Sequence, residues 1–267
     1  MKKIAIIGYG FVGKAMSKLF PDALVYDPFL KEKPINFCSD KDRINQCDVA
    51  FVCVPTIMLP NGECDIQIVK ETVAWLNTPL IIIRSTVKPG TTSELISLFS
   101  KDIIFIPEYV GETVAHPLLD EQCRDFLIIG AHDSFIGNLA LEVYQEVYNS
   151  NIKVLFLTPT EAEIVKYMEN TAIGSMVTLC NEFYNICQTF GVNYNRVREG
   201  FLLDPRMSRY FTFVYPNARG FGGKCLPKDL NAIAAASKQA GYQAEFIEDI
   251  LKNNTKFNNQ TICQKNS

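Results

Sequence analysis

The 267 residues are 48% apolar and 21% charged, with 18 Phe, 11 Tyr and one Trp. That is enough material for a sizeable core, and it excludes a disordered chain. Lys plus Arg is 26 against 29 Asp plus Glu, a net charge of −3, which excludes the basic footprint that phosphate neutralisation on nucleic acid requires. The nine cysteines are odd in number and contain no C-x-x-C pair, so they read as reduced thiols rather than a disulfide or zinc framework. No apolar stretch approaches membrane-spanning length. A cytoplasmic protein with no nucleic-acid, membrane or metal partner is expected.

In chain order, the first apolar run, Ile4–Ile7, leads into Gly8-Tyr9-Gly10-Phe11-Val12-Gly13. This is a G-x-G-x-x-G placed between a strand and a helix. Its first glycine permits a tight turn, its second lets backbone approach a pyrophosphate, and its third lets the helix pack on the strand. The helix that follows aims its free N–H groups at the phosphates. A second run, 24–26, ends in Asp27, nineteen residues after Gly8. A carboxylate there accepts from both ribose hydroxyls of NAD and repels an NADP phosphate.

Further apolar runs at 49–54, 80–84, 103–106 and 126–129 are separated by helix-length segments. Strands apolar throughout and spaced in this way predict a parallel sheet covered on both faces, a doubly wound α/β domain. A last strand is expected within 151–157. Thr160 with Glu163 fits a capping box, and apolar positions recur at helical spacing over 161–190 until Gly191. That predicts one helix of roughly 45 Å. Cys180 and Cys187, at i and i+7, face its core. The predicted organisation is therefore a Rossmann domain over 1–157 and a smaller all-helical domain over 158–267.

Residues 204–224 form a loop rich in Pro, Gly and aromatics, and helices are expected over 226–240 and 244–251. Pro227 suits a first helical position. This sets Cys225 at the mouth of a helix, beside Lys224 and Lys228 and behind a glycine turn. Each feature favours thiolate over thiol, so Cys225 is the candidate nucleophile. Asp229 follows within the first turn. Lys166 and Asn170 stand i, i+4 on one face of the long helix. From Lys252 the chain is rich in Asn, Gln and Lys and is expected to fray or to mark a truncation. The two histidines, His116 and His132, sit outside every motif, which argues against a histidine general base.

Together, the Gly8–Gly13 fingerprint, Ser85-Thr86-Val87 with Pro89-Gly90, Pro107-Glu108-Tyr109, the helix from Glu161 with Lys166 and Asn170, Asp204-Pro205-Arg206 and the Gly222–Asp229 stretch resemble the UDP-glucose/GDP-mannose 6-dehydrogenase family. The resemblance implies NAD as cofactor, bound by Gly8, Tyr9, Gly10, Phe11, Val12, Gly13, Asp27, Thr56, Thr86, Glu112 and Lys228. By it, Cys225 is the nucleophile, Lys166 the cation for oxyanions, and Asp229 and Asn170 the groups that hold water and Lys166. Glu108 is the acid/base for thioester hydrolysis, and Thr86 supports water and nicotinamide. Substrate contacts fall to Glu108, Lys166, Asn170, Arg206, Val214, Tyr215, Pro216, Asn217, Ala218 and Gly222. The implied partner chain is a second copy, paired through the helix over 161–190.

The implied reaction oxidises C6 of a nucleotide sugar, UDP-glucose first and GDP-mannose as alternative, from alcohol to carboxylate. A thiolate suits it, because it traps the intermediate aldehyde as a thiohemiacetal and then carries a thioester. In that family a third, nucleotide-clamping domain follows, and here the chain ends at Ser267. Two alternatives therefore stay open: a catalytically incomplete NAD-binding and dimerisation module, and a one-step NAD-dependent 3-hydroxyacid dehydrogenase.

Overall fold

A computed structural model describes residues 2–110, 121, 124–148 and 151–265. Among the described residues seven strands form one sheet: β1 (Ile4–Ile7), β2 (Leu24–Tyr26), β3 (Val49–Val52), β4 (Leu80–Ile83), β5 (Ile103–Phe105), β6 (Phe126–Gly130) and β7 (Lys153–Leu157). Their order is β2-β1-β3-β4-β5-β6-β7. β1 pairs in parallel with β2 and with β3, in the register Ile6↔Val25 and Ile6↔Phe51. The parallel pattern breaks once, where β6 runs antiparallel to β5 through the pair Phe105↔Gly130. Gly130 makes that approach possible, since a Cβ there would lie 2.6 Å from the Ala162 Cβ and 3.1 Å from the Phe105 carbonyl.

Among the described residues five helices accompany the sheet: α1 (Phe11–Leu19), α2 (Lys41–Ile44), α3 (Gln67–Trp75), α4 (Thr91–Phe99) and α5 (Ser134–Gln145). Successive strand residues feed opposite faces. Ile4 and Ile6 pack in one apolar layer with Met16, Phe51 and Ile82, while Ala5 and Ile7 pack in the other with Val52, Val69 and Ile83. This period-2 division is why the strands are apolar on every residue. Each fully buried aliphatic side chain contributes about 1.5–3 kcal/mol.

The chain divides into two compact units, Met1–Leu59 with Cys64–Lys166, and Pro60–Glu63 with Tyr167–Ser267. The second is helical: the greater part of α6 (Pro159–Thr189), then α7 (Tyr194–Phe201), α8 (Leu226–Gln239) and α9 (Glu245–Lys265). Cys180 and Cys187 are buried with Tyr194 and Val214, as the heptad spacing predicts.

Two expectations are corrected. The capping box of α6 is Thr158 with Glu161: Thr158 N donates to Glu161 Oε2 at 2.8 Å and Glu161 N to Thr158 Oγ1 at 3.3 Å. Glu163, expected in that role, is buried and serves another helix. The segment from Lys252 continues α9 rather than fraying, because Asn254 and Phe257 are buried there. Its polar composition hid an apolar and amide anchor on one face. Among the described residues no helix is long and apolar enough to cross a membrane.

Candidate functional site

In the first unit, β1 ends at a turn that only glycine tolerates. Gly8 has φ of +91° and donates its N–H to the Tyr26 carbonyl at 2.8 Å. A Cβ on Gly8 would lie 2.6 Å from the Cys53 carbonyl oxygen, so strand and turn approach this closely for want of a side chain. Gly13 packs on the Gly8 carbonyl, where any Cβ would overlap it. Gly10 caps α1 with open space around it and no side-chain cap. The first-turn N–H groups of α1 therefore face outward as donors.

Asp27 follows β2. Its Oδ2 accepts from Tyr9 N at 2.8 Å and its Oδ1 from Phe29 N at 2.9 Å. Each carboxylate oxygen keeps a further lone pair for a hydroxyl. Beside this acid lies a groove of about 540 Å³ lined by Tyr9, Lys14, Leu30, Lys31, Glu32, Lys33 and Pro34. Uncovered amides, a close-approach glycine and an acid at the next strand end fit a dinucleotide. Thr56 and Thr86 are brought together, Thr56 Oγ1 donating to the Thr86 carbonyl at 2.8 Å. Glu112 lies outside the described residues.

Glu108, after β5, is 7% exposed. Its Oε1 accepts from Tyr109 N at 2.8 Å and Val110 N at 2.5 Å, and its Oε2 pairs with Arg84 at 2.8 Å. Burial pushes its carboxyl above the ordinary range, Glu121 adds to this, and Arg84 opposes both. The half-buried Lys166 stands over the Tyr109 ring, 5.6 Å from its centre.

The second unit holds the cysteine. Cys225 is the N-cap residue of α8, solvent-exposed, with Pro227 in the first turn. The six other cysteines whose side chains are described are buried. Two residues beyond Pro227, Asp229 is 1% exposed. Its Oδ2 accepts from Asn170 Nδ2 at 2.5 Å and its Oδ1 pairs with Lys228 Nζ at 2.6 Å. Asn170 and Asp229, expected to act together, are thus in contact, while Lys228, expected at the cofactor, is paired with Asp229.

The glycine turn before Cys225 is held from two helices. Asn181 of α6 accepts from Gly220 N at 3.1 Å and from Arg219 Nε at 2.6 Å. Asn254 of α9 takes both ends of one peptide unit's neighbourhood, accepting from Phe221 N at 2.6 Å and donating to the Phe221 carbonyl at 2.8 Å. Tyr215 and Ala218 close a tight turn at 3.0 Å, with Val214 buried and Tyr215 exposed. Gly222 is open to solvent, and the exposed Arg206 pairs with Asp204 at 2.5 Å.

Sequence reasoning missed Arg84, Glu121, Asn181 and Asn254, and assigned Glu163 to the wrong helix. Arg84 carried a signal, since it ends an otherwise apolar strand run at the carboxyl edge, where α/β sheets place their ligands. The asparagines carried none, because their partners, backbone groups and the Arg219 guanidinium, are distant in sequence.

Residues 23–148 match the NAD-binding domain model of the UDP-glucose/GDP-mannose dehydrogenase family, and residues 160–256 match its central domain. The chain is 27% identical over 300 residues to UDP-glucose 6-dehydrogenase TuaD of Bacillus subtilis, covering 96% of this chain and 63% of that protein. It is 25% identical to GDP-mannose 6-dehydrogenase of Pseudomonas aeruginosa, covering 80% of this chain and 52% of that one. A UDP-glucose dehydrogenase structure from Pyrobaculum islandicum superposes with TM-score 0.83 at 24% identity, over 96% of this chain and 68% of that one. A 3-hydroxyisobutyrate dehydrogenase from Mycobacterium tuberculosis shares the fold at TM-score 0.70 and 17% identity, over 96% and 94%.

Proposed function

The chain belongs to the UDP-glucose/GDP-mannose dehydrogenase family, and from that premise we propose that it carries the cofactor and thiol chemistry of an NAD-dependent nucleotide-sugar 6-dehydrogenase. UDP-glucose is the first substrate to try and GDP-mannose the second. NAD, when bound at the Gly8–Gly13 turn and Asp27, supplies the hydride acceptor for both oxidations. The observation that carries the proposal is the state of the cysteines: Cys225 is exposed at a helix N-cap behind an open glycine turn, and the six others described are buried.

In this reading the Cys225 sulfur adds to the C6 aldehyde, forming a C–S bond and an oxyanion. The helix N-terminus at which Cys225 stands favours the thiolate needed for that step. Lys166 balances the oxyanion, a charge that exists only after addition, so its effect falls on the transition state. Asn170 and Asp229 hold each other by hydrogen bond, which fixes them to orient water. Glu108, already held by two backbone amides, takes the proton from water as the thioester C–S bond breaks and the acid leaves. A second copy docks through α6 and, with Arg206 and the 214–218 turn, completes contacts to the sugar nucleotide.

The chain spans 63% of the Bacillus relative and 52% of the Pseudomonas one. The test is therefore run on this chain as it stands. Protein, NAD and UDP-glucose or GDP-mannose are mixed, and NADH absorbance is followed with intact mass. Two NADH per sugar are expected, together with loss of turnover in Cys225→Ser. Undiminished turnover in that variant overturns the thioester route. Cofactor binding without turnover on either sugar nucleotide favours a catalytically incomplete binding module.

A further inference from the structure

Around Glu108 the first unit builds a buried charge cluster that neither the fingerprint nor the cysteine motif requires. Arg84 is 0% exposed and lies directly after β4. Its Nη2 reaches Glu108 Oε2 at 2.8 Å and also contacts Glu121 Oε1. Glu121 is itself 1% exposed, and its Oε2 pairs with Arg124 at 3.0 Å and accepts from the Tyr148 hydroxyl at 3.0 Å. Two carboxylates thus divide one guanidinium, and one of the two holds a second guanidinium as well.

Resting on Glu108's role in the proposed function, we infer that Arg84 is a positioning residue for Glu108, and that Glu121 divides Arg84's charge so that Glu108 remains the carboxylate able to take up a proton. With both acids ionised and both arginines charged the cluster is neutral. Adding one proton leaves a buried positive charge, which is least costly where the fewest cations face the acid. Glu121 faces two arginines and Glu108 faces one, already shared. Burial opposes ionisation of Glu121, but Arg84 and Arg124 outweigh it, so its carboxyl lies below the ordinary range, opposite in direction to Glu108. The other titratable groups of the cluster do not compete for the proton at neutral pH. Burial pushes Cys53 and Tyr144 up, and Tyr148 likewise. Lys166 on α6 faces the adjoining Tyr109 ring.

The coupling is reciprocal by thermodynamic necessity: whatever Glu121's charge does to Glu108's proton affinity, Glu108's charge does to Glu121's. Removing Glu121's charge takes away the repulsion it exerts on Glu108 and leaves Arg84 to Glu108 alone, so Glu108 must give up its proton at lower pH. The test is a pH titration of the full chain labelled with 13C at the glutamate side-chain carboxyl carbon and read by NMR. In Glu121→Gln, Glu108's midpoint is expected to fall by at least about one pH unit. In Glu108→Gln, Glu121's midpoint falls by a matching amount, and either variant alone suffices if the other does not fold. A Glu108 midpoint unchanged in Glu121→Gln, or a Glu121 midpoint unchanged in Glu108→Gln, overturns the inference. The titration needs no substrate. Coupled midpoints in a chain without turnover therefore leave it standing and refute the proposed function, and uncoupled midpoints overturn it whatever turnover is found.

Discussion

Glu163 shows how a single side chain acquires a role its local pattern does not announce. It is fully buried, and it accepts from Gly90 N at 2.6 Å, Thr92 N at 2.8 Å and Thr92 Oγ1 at 2.6 Å. It therefore caps α4 from α6 and anchors the loop that carries Thr86. Burial pushes its pKa from 4.5 up to about 7, against those three hydrogen bonds. A carboxyl whose folded pKa is raised binds protons more tightly in the folded state. Its stabilising protonation is complete below pH 4.5 and is lost as pH rises through 7. The difference is about 3 kcal/mol at most. Wild-type thermal stability is expected to gain from this group as pH falls from 8 to 5, and Glu163→Gln is expected to lack that component. Melting curves at the two pH values check it, and equal pH responses in both proteins refute it. Sequence spacing identified a capping acid in this region but matched the wrong pair, since Thr160 with Glu163 satisfies the same pattern as Thr158 with Glu161. Only the depth of burial separates them.

At the scale of elements, the glycine turn before Cys225 owes its shape to helices far away in sequence. Asn254 binds the N–H and carbonyl of Phe221, and Asn181 binds Gly220 and Arg219. Replacing Asn254 by Ala strands the buried Phe221 N–H, at about 1–3 kcal/mol, and leaves the Phe221 carbonyl only the longer bond from Asn258 Nδ2 at 3.4 Å. Asn254→Ala is expected to lower the melting temperature and to open residues 217–224 to limited proteolysis. An unchanged cleavage pattern would show that Asn181 suffices alone. Much of the element plan was legible: the apolar runs became strands at the places read, and the cysteine stretch opened a helix. The continuation of α9 was not legible. One buried Asn and one buried Phe in a run of polar residues do not raise an apolar period that a window of sequence detects.

At the scale of the whole molecule, α6 presents an exposed apolar stripe that no other described residue covers. Ile164, Met168, Leu179, Phe183, Ile186 and Phe190 are exposed, and at about 100° per residue they fall within roughly 100° of arc. A stripe of that width is the face a partner helix would cover, in line with the proposed second copy. Phe183→Asp is expected to shift the chain toward monomer in sedimentation velocity, with a smaller change in melting temperature than a core substitution causes. A wild-type chain that sediments as a monomer at all concentrations refutes dimerisation through this helix.

The linear order of residues was enough to determine the doubly wound sheet, the fingerprint with its acid and the singular cysteine. Those properties reside in strand period, glycine spacing and neighbouring charge, all of which are local. Only the tertiary structure decided that Arg84 is divided between two glutamates, that Glu163 caps α4 rather than its own helix, and that Asn254 reaches back to the glycine turn. These are contacts between groups that the chain brings together only after its backbone has folded. Their strength comes from exclusion of water, which no stretch of sequence records by itself.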